Sequence, residues 1–318
     1  MTVQNPWQLS IAPMMAWTDR HYRYLMRLIA PNIRLYTEMV TTGALLNSDP
    51  KRHLAFSPQE HPIALQLGGH DPEHLAQCAK MGEDFGYDEI NINIGCPSDR
   101  VSAGRFGACL MAEPELVAEC VASMQQSVNI PITVKTRIGI DKFDDYAFLK
   151  TFIETVQQAP CKTFIIHARK AWLKGLSPKQ NREVPPLQYD TVYQIKKDYP
   201  HLDIIINGGI TTKEQAAQHL QHVDGVMIGR SAYENPCYWA ENPDLLRDEI
   251  LKQYIDYMLE QHQHGERLWP MARHLLNLFN GQPGARALRR LLSTQVQTQD
   301  DQQALAVLNT IYKSPQIS

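Results

Sequence analysis

Polar and apolar side chains alternate through Asp88-Glu89-Ile90-Asn91-Ile92-Asn93-Ile94. This is the two-residue period of a β-strand with one polar and one apolar face. Asparagine is a poor strand residue, so Asn91 and Asn93 on one side mark a face with polar work to do. Short apolar runs of strand length recur through the first three quarters of the chain. They fall at Leu9–Ala12, Arg34–Thr37, Ile63–Leu67, Glu89–Asn93, Ile132–Lys135, Thr163–His167, Ile204–Asn207 and Gly225–Ile228. Helical patterns separate several of them, at Pro72–Phe85, Pro114–Ser127, Asp144–Gln157 and Lys213–His219. Eight strands alternating with helices over about 230 residues predict an α/β fold of the TIM (β/α)8 barrel type. The rival is a doubly wound sheet, but no GxGxxG follows the first strand.

The period changes after Leu246. Ile250, Leu251, Tyr254, Met258 and Leu259 recur at helical spacing, acids Asp248 and Glu249 open the segment, and Gly265 stops it. Pro270–Asn280, Ala285–Thr294 and Asp300–Tyr312 follow with no strand between them. The expectation is a barrel over 1–240 and an all-helical, four-helix domain over 241–318, joined near Pro236-Cys237-Tyr238-Trp239-Ala240-Glu241-Asn242-Pro243.

A barrel carries its working residues at the carboxyl ends of its strands. Those ends read Pro13-Met14-Met15 after the first, Gln66 on the third, and Asn93 on the fourth with Cys96 just beyond. Lys135 closes the fifth, His167 the sixth, Asn207-Gly208-Gly209 the seventh and Gly229-Arg230 the eighth. Glycines let backbone N–H groups approach an anion, and the loops after the last two strands are where barrels hold a phosphate.

Composition narrows the class. Of 318 residues, 43% are hydrophobic and 20% charged, as in a globular protein, and no apolar run reaches membrane-spanning length. The opening MTVQNPWQLS lacks the basic and apolar blocks of a secretory signal. Six cysteines show no CxxC pair and no metal-type spacing with histidine, so reduced thiols, a cytoplasmic setting and no structural metal are expected. A net charge of −3 means that any nucleic-acid surface must be local. Two segments qualify. Cys161 to Arg182 holds Lys162, Arg169, Lys170, Lys174, Lys179 and Arg182 with no acid, and Trp172 adds a ring that can stack or wedge. Between Gly265 and Ser293, Arg267, Arg273, Arg286, Arg289 and Arg290 face the single acid Glu266.

Taken in order, Ala12-Pro13-Met14, Asn93-Ile94-Gly95-Cys96-Pro97, Val134-Lys135-Thr136-Arg137, Ile166-His167-Ala168-Arg169, Ile206-Asn207-Gly208-Gly209 and Met227-Ile228-Gly229-Arg230 resemble the flavin-dependent tRNA-dihydrouridine synthases. Trp17-Thr18-Asp19-Arg20, Tyr36-Thr37-Glu38-Met39-Val40 and Ala168-Arg169-Lys170-Ala171-Trp172-Leu173 are similar to the A-type bacterial branch. The resemblance implies FMN as cofactor and a nicotinamide dinucleotide, NADPH or NADH, as reductant. By position, Pro13, Met14 and Met15 would cover the flavin ring, and Gln66 and Lys135 would bond its polar edge. His167 would lie beside the ring and ribityl chain, and Asn207, Gly208, Gly209, Gly229 and Arg230 would hold the phosphate.

Cys96 then acquires a role. Reducing the C5–C6 bond of uracil takes a hydride at C6 and a proton at C5, and the proton needs an acid on the face opposite the flavin. A thiol with a reference pKa of about 8.5 is largely protonated at neutral pH and can give it. Asn93, three residues earlier, would bond the uracil edge. A base inside folded tRNA must be extruded to reach a barrel, which calls for a large grip elsewhere on the RNA. Lys179 and Arg182, with Arg286 and Arg289 of the helical domain, are the expected phosphate contacts. The A-type branch acts in the D-loop at positions 20 and 20a, and no membrane or obligate protein partner is implied. Two other readings compete with this one. A small-molecule flavin oxidoreductase of the dihydroorotate or enoate type would leave both basic surfaces without a use, and a tRNA-binding chaperone would have no use for Cys96.

Overall fold

In the computed structural model, which describes residues 7–98, 101, 104–297 and 301–313, eight parallel strands form one sheet. They are β1 (Leu9–Ile11), β2 (Leu35–Thr41), β3 (Ile63–Gly68), β4 (Glu89–Ile94), β5 (Ile132–Arg137), β6 (Thr163–His167), β7 (Asp203–Asn207) and β8 (Gly225–Ile228). Each strand pairs with its sequence neighbour from β2 to β8, and β1 returns to pair with β8. Closure comes from the parallel bridge Ser10–Arg34, where Ile11 N donates to Arg34 O at 2.9 Å and Arg34 N to Leu9 O at 3.1 Å. This is the expected TIM barrel.

The helices follow from local signals. Pro72 and Pro114 occupy first-turn positions, where a missing N–H costs nothing. Asp71 caps Pro72–Phe85 by accepting from His74 N at 2.8 Å, and Gly86, with φ of 96°, ends it in the left-handed region. Thr212 and Gln215 form a capping box on Lys213–His219. Inside the barrel, Ala12, Tyr36, Ala64, Ile165, Ile205 and Met227 make a buried apolar layer, with Trp7 and Met14 packed against it.

Two strands run further than their apolar patterns. β2 continues through Glu38 to Thr41 by a register shift between Tyr36 and Met39. β5 continues past Lys135 to Arg137, paired with both Ile94 on β4 and His167 on β6. Lys135 therefore lies inside its strand, and Gln66 likewise lies two residues short of the end of β3 at Gly68.

By internal packing the chain forms two units. One holds the described residues up to Ala16 together with Ile33–Gly229, which is the barrel. The other holds Trp17–Asn32 and the described residues from Arg230 onward. The division expected at residue 240 thus falls within the second unit, which also takes the helix Arg20–Ile29. That helix buries Tyr22, Leu25, Met26 and Ile29, an apolar face that has to be covered. The other helices of this unit are Arg230–Glu234, Arg247–Gln263, Leu268–Ala272 running into the turn Arg273–Asn277, Ala285–Leu291 running into the wide turn Leu292–Val296, and Asp301–Lys313. Asp300, the expected start of the last, lies outside the described residues, as do residues 1–6.

Asp19 is the polar hub of the second unit. It caps Arg20–Ile29 through His21 N and Tyr22 N, both at 3.0 Å, accepts from Arg273, and meets His274 Nε2 at 3.0 Å. Burial pushes its carboxyl up, but His274 and the Tyr22 N–H outweigh burial and hold it well below the usual carboxylate range. Trp17 stacks on Tyr233 at 4.5 Å beside this hub. Among the described residues no helix is long and apolar enough to cross a membrane.

Candidate active site

Cys96 sits half-buried in the turn after β4, and four hydrogen bonds from three residues clamp that turn. Asn93 Oδ1 accepts from Gly95 N at 3.1 Å and from Cys96 N at 2.9 Å. Arg137 Nε, from β5, donates to Gly95 O at 2.8 Å. Ala108 N donates to Cys96 O at 2.9 Å. The last contact needs Gly107, whose φ is 76° and where a Cβ would stand 2.6 Å from Cys96 O.

Arg137 was not among the residues singled out from sequence. Its guanidinium also reaches Lys170 O and Asn181 O, each at 3.0 Å, so one side chain ties the Cys96 turn to the loop after β6. The available signal was the two-residue period, which puts Arg137 on the same face as Lys135. Asn181 is fully buried and spans its own loop, accepting from Trp172 N at 2.8 Å and donating to Trp172 O at 2.9 Å.

The register places Asn93 beside Lys135, Arg137 beside His167, and His167 beside Asn207. Lys135 Nζ donates to Asn207 Oδ1 at 3.2 Å, and Asn207 Nδ2 donates to Met227 O at 2.8 Å. Burial, then the Arg137 charge, pushes Lys135 down to about 7, with Cys96 opposing. Burial lowers Arg137 to about 10, and burial followed by Arg137 and Lys135 holds His167 well below the usual histidine range. Three basic groups, each lowered first by burial, with Arg137 acting on both Lys135 and His167, form a site short of negative charge.

Gly208 and Gly209 have φ of 115° and 72°, which L side chains rarely adopt, and a Cβ on Gly208 would lie 3.1 Å from His167 Nε2. A Cβ on Gly229 would meet nothing within 4 Å, so space opens beside the end of β8. His167 Nδ1 is buried with no hydrogen-bond partner. These features fit a bound group with a phosphate and a polar ring: glycine backbone at two adjacent strand ends, buried basic side chains, and a buried ring nitrogen without a hydrogen-bond partner.

Of the expected residues, Gln66, Asn93, Cys96, Lys135, His167, Asn207 and Gly208 are thus linked at one end of the barrel. Met14 packs on the interior apolar layer, Pro13 is half-buried, and Met15 is exposed. Lys179 and Arg182 are exposed at the short turn Gln180–Arg182 of the first unit. In the second unit Arg230 opens the helix Arg230–Glu234. Arg286 and Arg289 are exposed on Ala285–Leu291, with Arg289 Nε donating to Leu276 O at 3.1 Å.

Asn93 and Gln66 are also bonded to each other, Asn93 Nδ2 donating to Gln66 Oε1 at 2.8 Å. The bonding continues inward. Gln66 Nε2 donates to Asn91 Oδ1, and Asn91 Nδ2 to Thr133 Oγ1, each at 2.8 Å. Thr133 Oγ1 donates to Glu89 Oε1 at 2.5 Å. The polar face read from the alternation of β4 is therefore a hydrogen-bonded ladder inside the barrel.

The family model described as "Dihydrouridine synthase (Dus)" matches residues 10–314. A tRNA-dihydrouridine(20/20a) synthase of Shewanella oneidensis is 59% identical over 293 residues, covering 89% of this chain and 87% of its own length. Proteins of the same description from Synechocystis sp. and Escherichia coli K12 are 58% and 55% identical, covering 91% and 90% of this chain and 89% and 86% of their own lengths. A solved 2-naphthoyl-CoA reductase complex superposes with a TM-score of 0.56 at 10% identity, over 72% of this chain and about half (49%) of that one, a likeness of fold. The chain belongs to the dihydrouridine synthase family.

Proposed function

We propose that this protein reduces uridine to 5,6-dihydrouridine in tRNA, in the D-loop at positions 20 and 20a, with FMN as cofactor and NADPH as reductant, in the cytoplasm. The observation that carries the reading is Cys96, a thiol held by three backbone clamps beside Lys135 and Arg137, in a chain whose relatives are described as tRNA-dihydrouridine(20/20a) synthases.

FMN held here and reduced by NADPH would supply the hydride for C6 of uracil. Cys96 gives the proton to C5, and the thiolate left behind is stabilised by Lys135 and Arg137. Gly208, Gly209 and Gly229 support a phosphate site, with Asn207 and Arg230 assigned to it from their positions. The orphan His167 Nδ1 supports a bond to a polar atom of the cofactor, and Gln66 keeps one N–H for the flavin edge. Pro13, Met14 and Met15 cover the ring. Asn93 faces the uracil edge with its one remaining N–H. In this reading 1–240 is the catalytic part and 241–318 the tRNA-binding part, and Lys179, Arg182, Arg286 and Arg289 contact phosphates.

Mapping dihydrouridine in tRNA from cells lacking the gene tests this. Loss at 20 and 20a, with 16 and 17 unaffected and restoration by the purified protein with NADPH, is the expected result. Loss at 16 or 17 with 20 and 20a intact would refute the assignment.

A further inference from the structure

Four donors converge on the Glu89 carboxylate. Tyr36 OH and Thr133 Oγ1 reach Oε1 at 2.8 and 2.5 Å; Trp7 Nε1 and Arg34 Nη1 reach Oε2 at 2.7 and 3.1 Å. The guanidinium of Arg34 forms a buried ion pair with Oε2. Indole and guanidinium only donate. Glu89 therefore acts as an acceptor; Thr133 Oγ1 also neighbours the Tyr36 hydroxyl, but its approach to Oε1 at 2.5 Å is where its single hydroxyl hydrogen goes.

That fixes everything above it. Amide side chains can be turned end for end with no change of shape, so something must set their direction. Thr133, its hydrogen committed, can only accept, so Asn91 presents Nδ2 to it. Asn91 then shows Oδ1 to Gln66, Gln66 shows Oε1 to Asn93, and Asn93 is left with Oδ1 facing the Gly95 and Cys96 N–H groups. The direction demanded from below agrees with what the two backbone donors demand from above. Glu89, Asn91 and Thr133 are 0% exposed and Gln66 1%, so no water competes for these bonds.

We propose that Glu89 is the positioning residue for Cys96, acting through this one-way ladder, and that Thr133 is its essential link. The proposal rests on the reading of Cys96 as the proton donor, but its structural half does not depend on the substrate. Glu89 touches none of the reacting atoms. It holds the turn by keeping each amide pointing one way, so that Asn93 cannot swing its oxygen out of the Cys96 turn.

Two variants cut the ladder at different rungs without changing its bulk: Thr133→Val and Asn91→Leu. Thr133→Ser keeps the hydroxyl. Each is measured for FMN absorbance, for kcat and KM on tRNA lacking dihydrouridine, and for the rate at which iodoacetamide alkylates Cys96, followed on its own peptide. In both cut variants kcat should fall about ten- to a hundredfold, the penalty for a loosened reacting group, with KM for tRNA and flavin absorbance unchanged. Alkylation of Cys96 should rise severalfold as the turn loosens. Thr133→Ser should behave as wild type. In an Asn93→Ala background Thr133→Val should have no further effect on either readout, because Asn93 is the ladder's route to Cys96. Unchanged kcat and alkylation in Thr133→Val and Asn91→Leu, or equal defects in Thr133→Ser, would overturn the proposal. If tRNA is not the substrate, the alkylation series decides the ladder alone. If one cut variant does not fold, the other carries the test.

Discussion

Arg137 Nε donates to the carbonyl of Gly95 at 2.8 Å, joining β5 to the residue before Cys96. The same guanidinium takes up the carbonyls of Lys170 and Asn181, so the turn with the thiol and the loop after β6 share one anchor. A planar fork with five donors can serve three carbonyls at once, and a lysine ammonium on a flexible stem cannot hold that geometry.

Arg137→Lys should therefore lower kcat for tRNA reduction by tenfold or more and destabilise the fold by about 1–3 kcal/mol, the range for buried polar groups left unpaired. Urea midpoints and turnover check both. Wild-type turnover would show that the clamp does not matter to the thiol.

Cys96→Ala should keep FMN and oxidise NADPH at close to the normal rate while reducing tRNA about 10²–10⁴ times more slowly, as for a lost general acid. Following flavin reduction by NADPH and its reoxidation by tRNA in a stopped-flow instrument separates the two steps.

Lys135 makes a pH prediction for the flavin-free protein. Burial lowers it from 10.5 to about 7, so between those values the unfolded chain holds a proton that the folded chain lacks. Stability thus gains with rising pH over that window, at no more than about 1.4 kcal/mol per unit. Lys135→Met should remove this contribution. The stability difference between the two proteins should narrow, in the sense of wild type catching up, from pH 7 toward pH 10.5, and a difference constant with pH would refute it.

Asp19→Asn retains a cap acceptor for Arg20–Ile29 but removes the charge facing Arg273 and His274. A loss of about 2 kcal/mol at neutral pH is expected. Because the Asp19 carboxyl is depressed in the folded state, its contribution is fully present above about pH 3.9 and fades as the pH falls through the folded value. The gap between wild type and variant should close in acid, as read by circular dichroism.

Alanine at Lys179, Arg182 or Arg286 should weaken tRNA binding and reduce its salt slope by up to about one each, leaving the flavin spectrum unchanged. Arg289→Ala should in addition cost about 1 kcal/mol of stability for the lost bond to Leu276 O. Binding titrations at several salt concentrations distinguish a phosphate contact from a solvated face.

The strands and helices of the barrel were legible because their signals are local. Pro72–Phe85, Pro114–Ser127, Thr163–His167 and Gly225–Ile228 lie where hydrophobic period, first-turn proline and closing glycine place them. Cys96, Lys135 and His167 could be picked out because a barrel of parallel strands presents every strand's carboxyl end at one mouth. The partners of those residues were not legible. Arg137 lies 42 positions from Gly95 and Tyr36 53 from Glu89, and nothing in a linear chain reports which polar groups will be shut away from water together. The helix Arg20–Ile29 was not picked out, and although it follows the first strand in the chain it belongs by packing to the second unit. Alternation along β4 shows that Glu89, Asn91 and Asn93 share a face. Only closure of the barrel, which excludes water and brings Gln66 and Thr133 from neighbouring strands against that face, turns three polar residues into a directed chain of hydrogen bonds ending at Cys96.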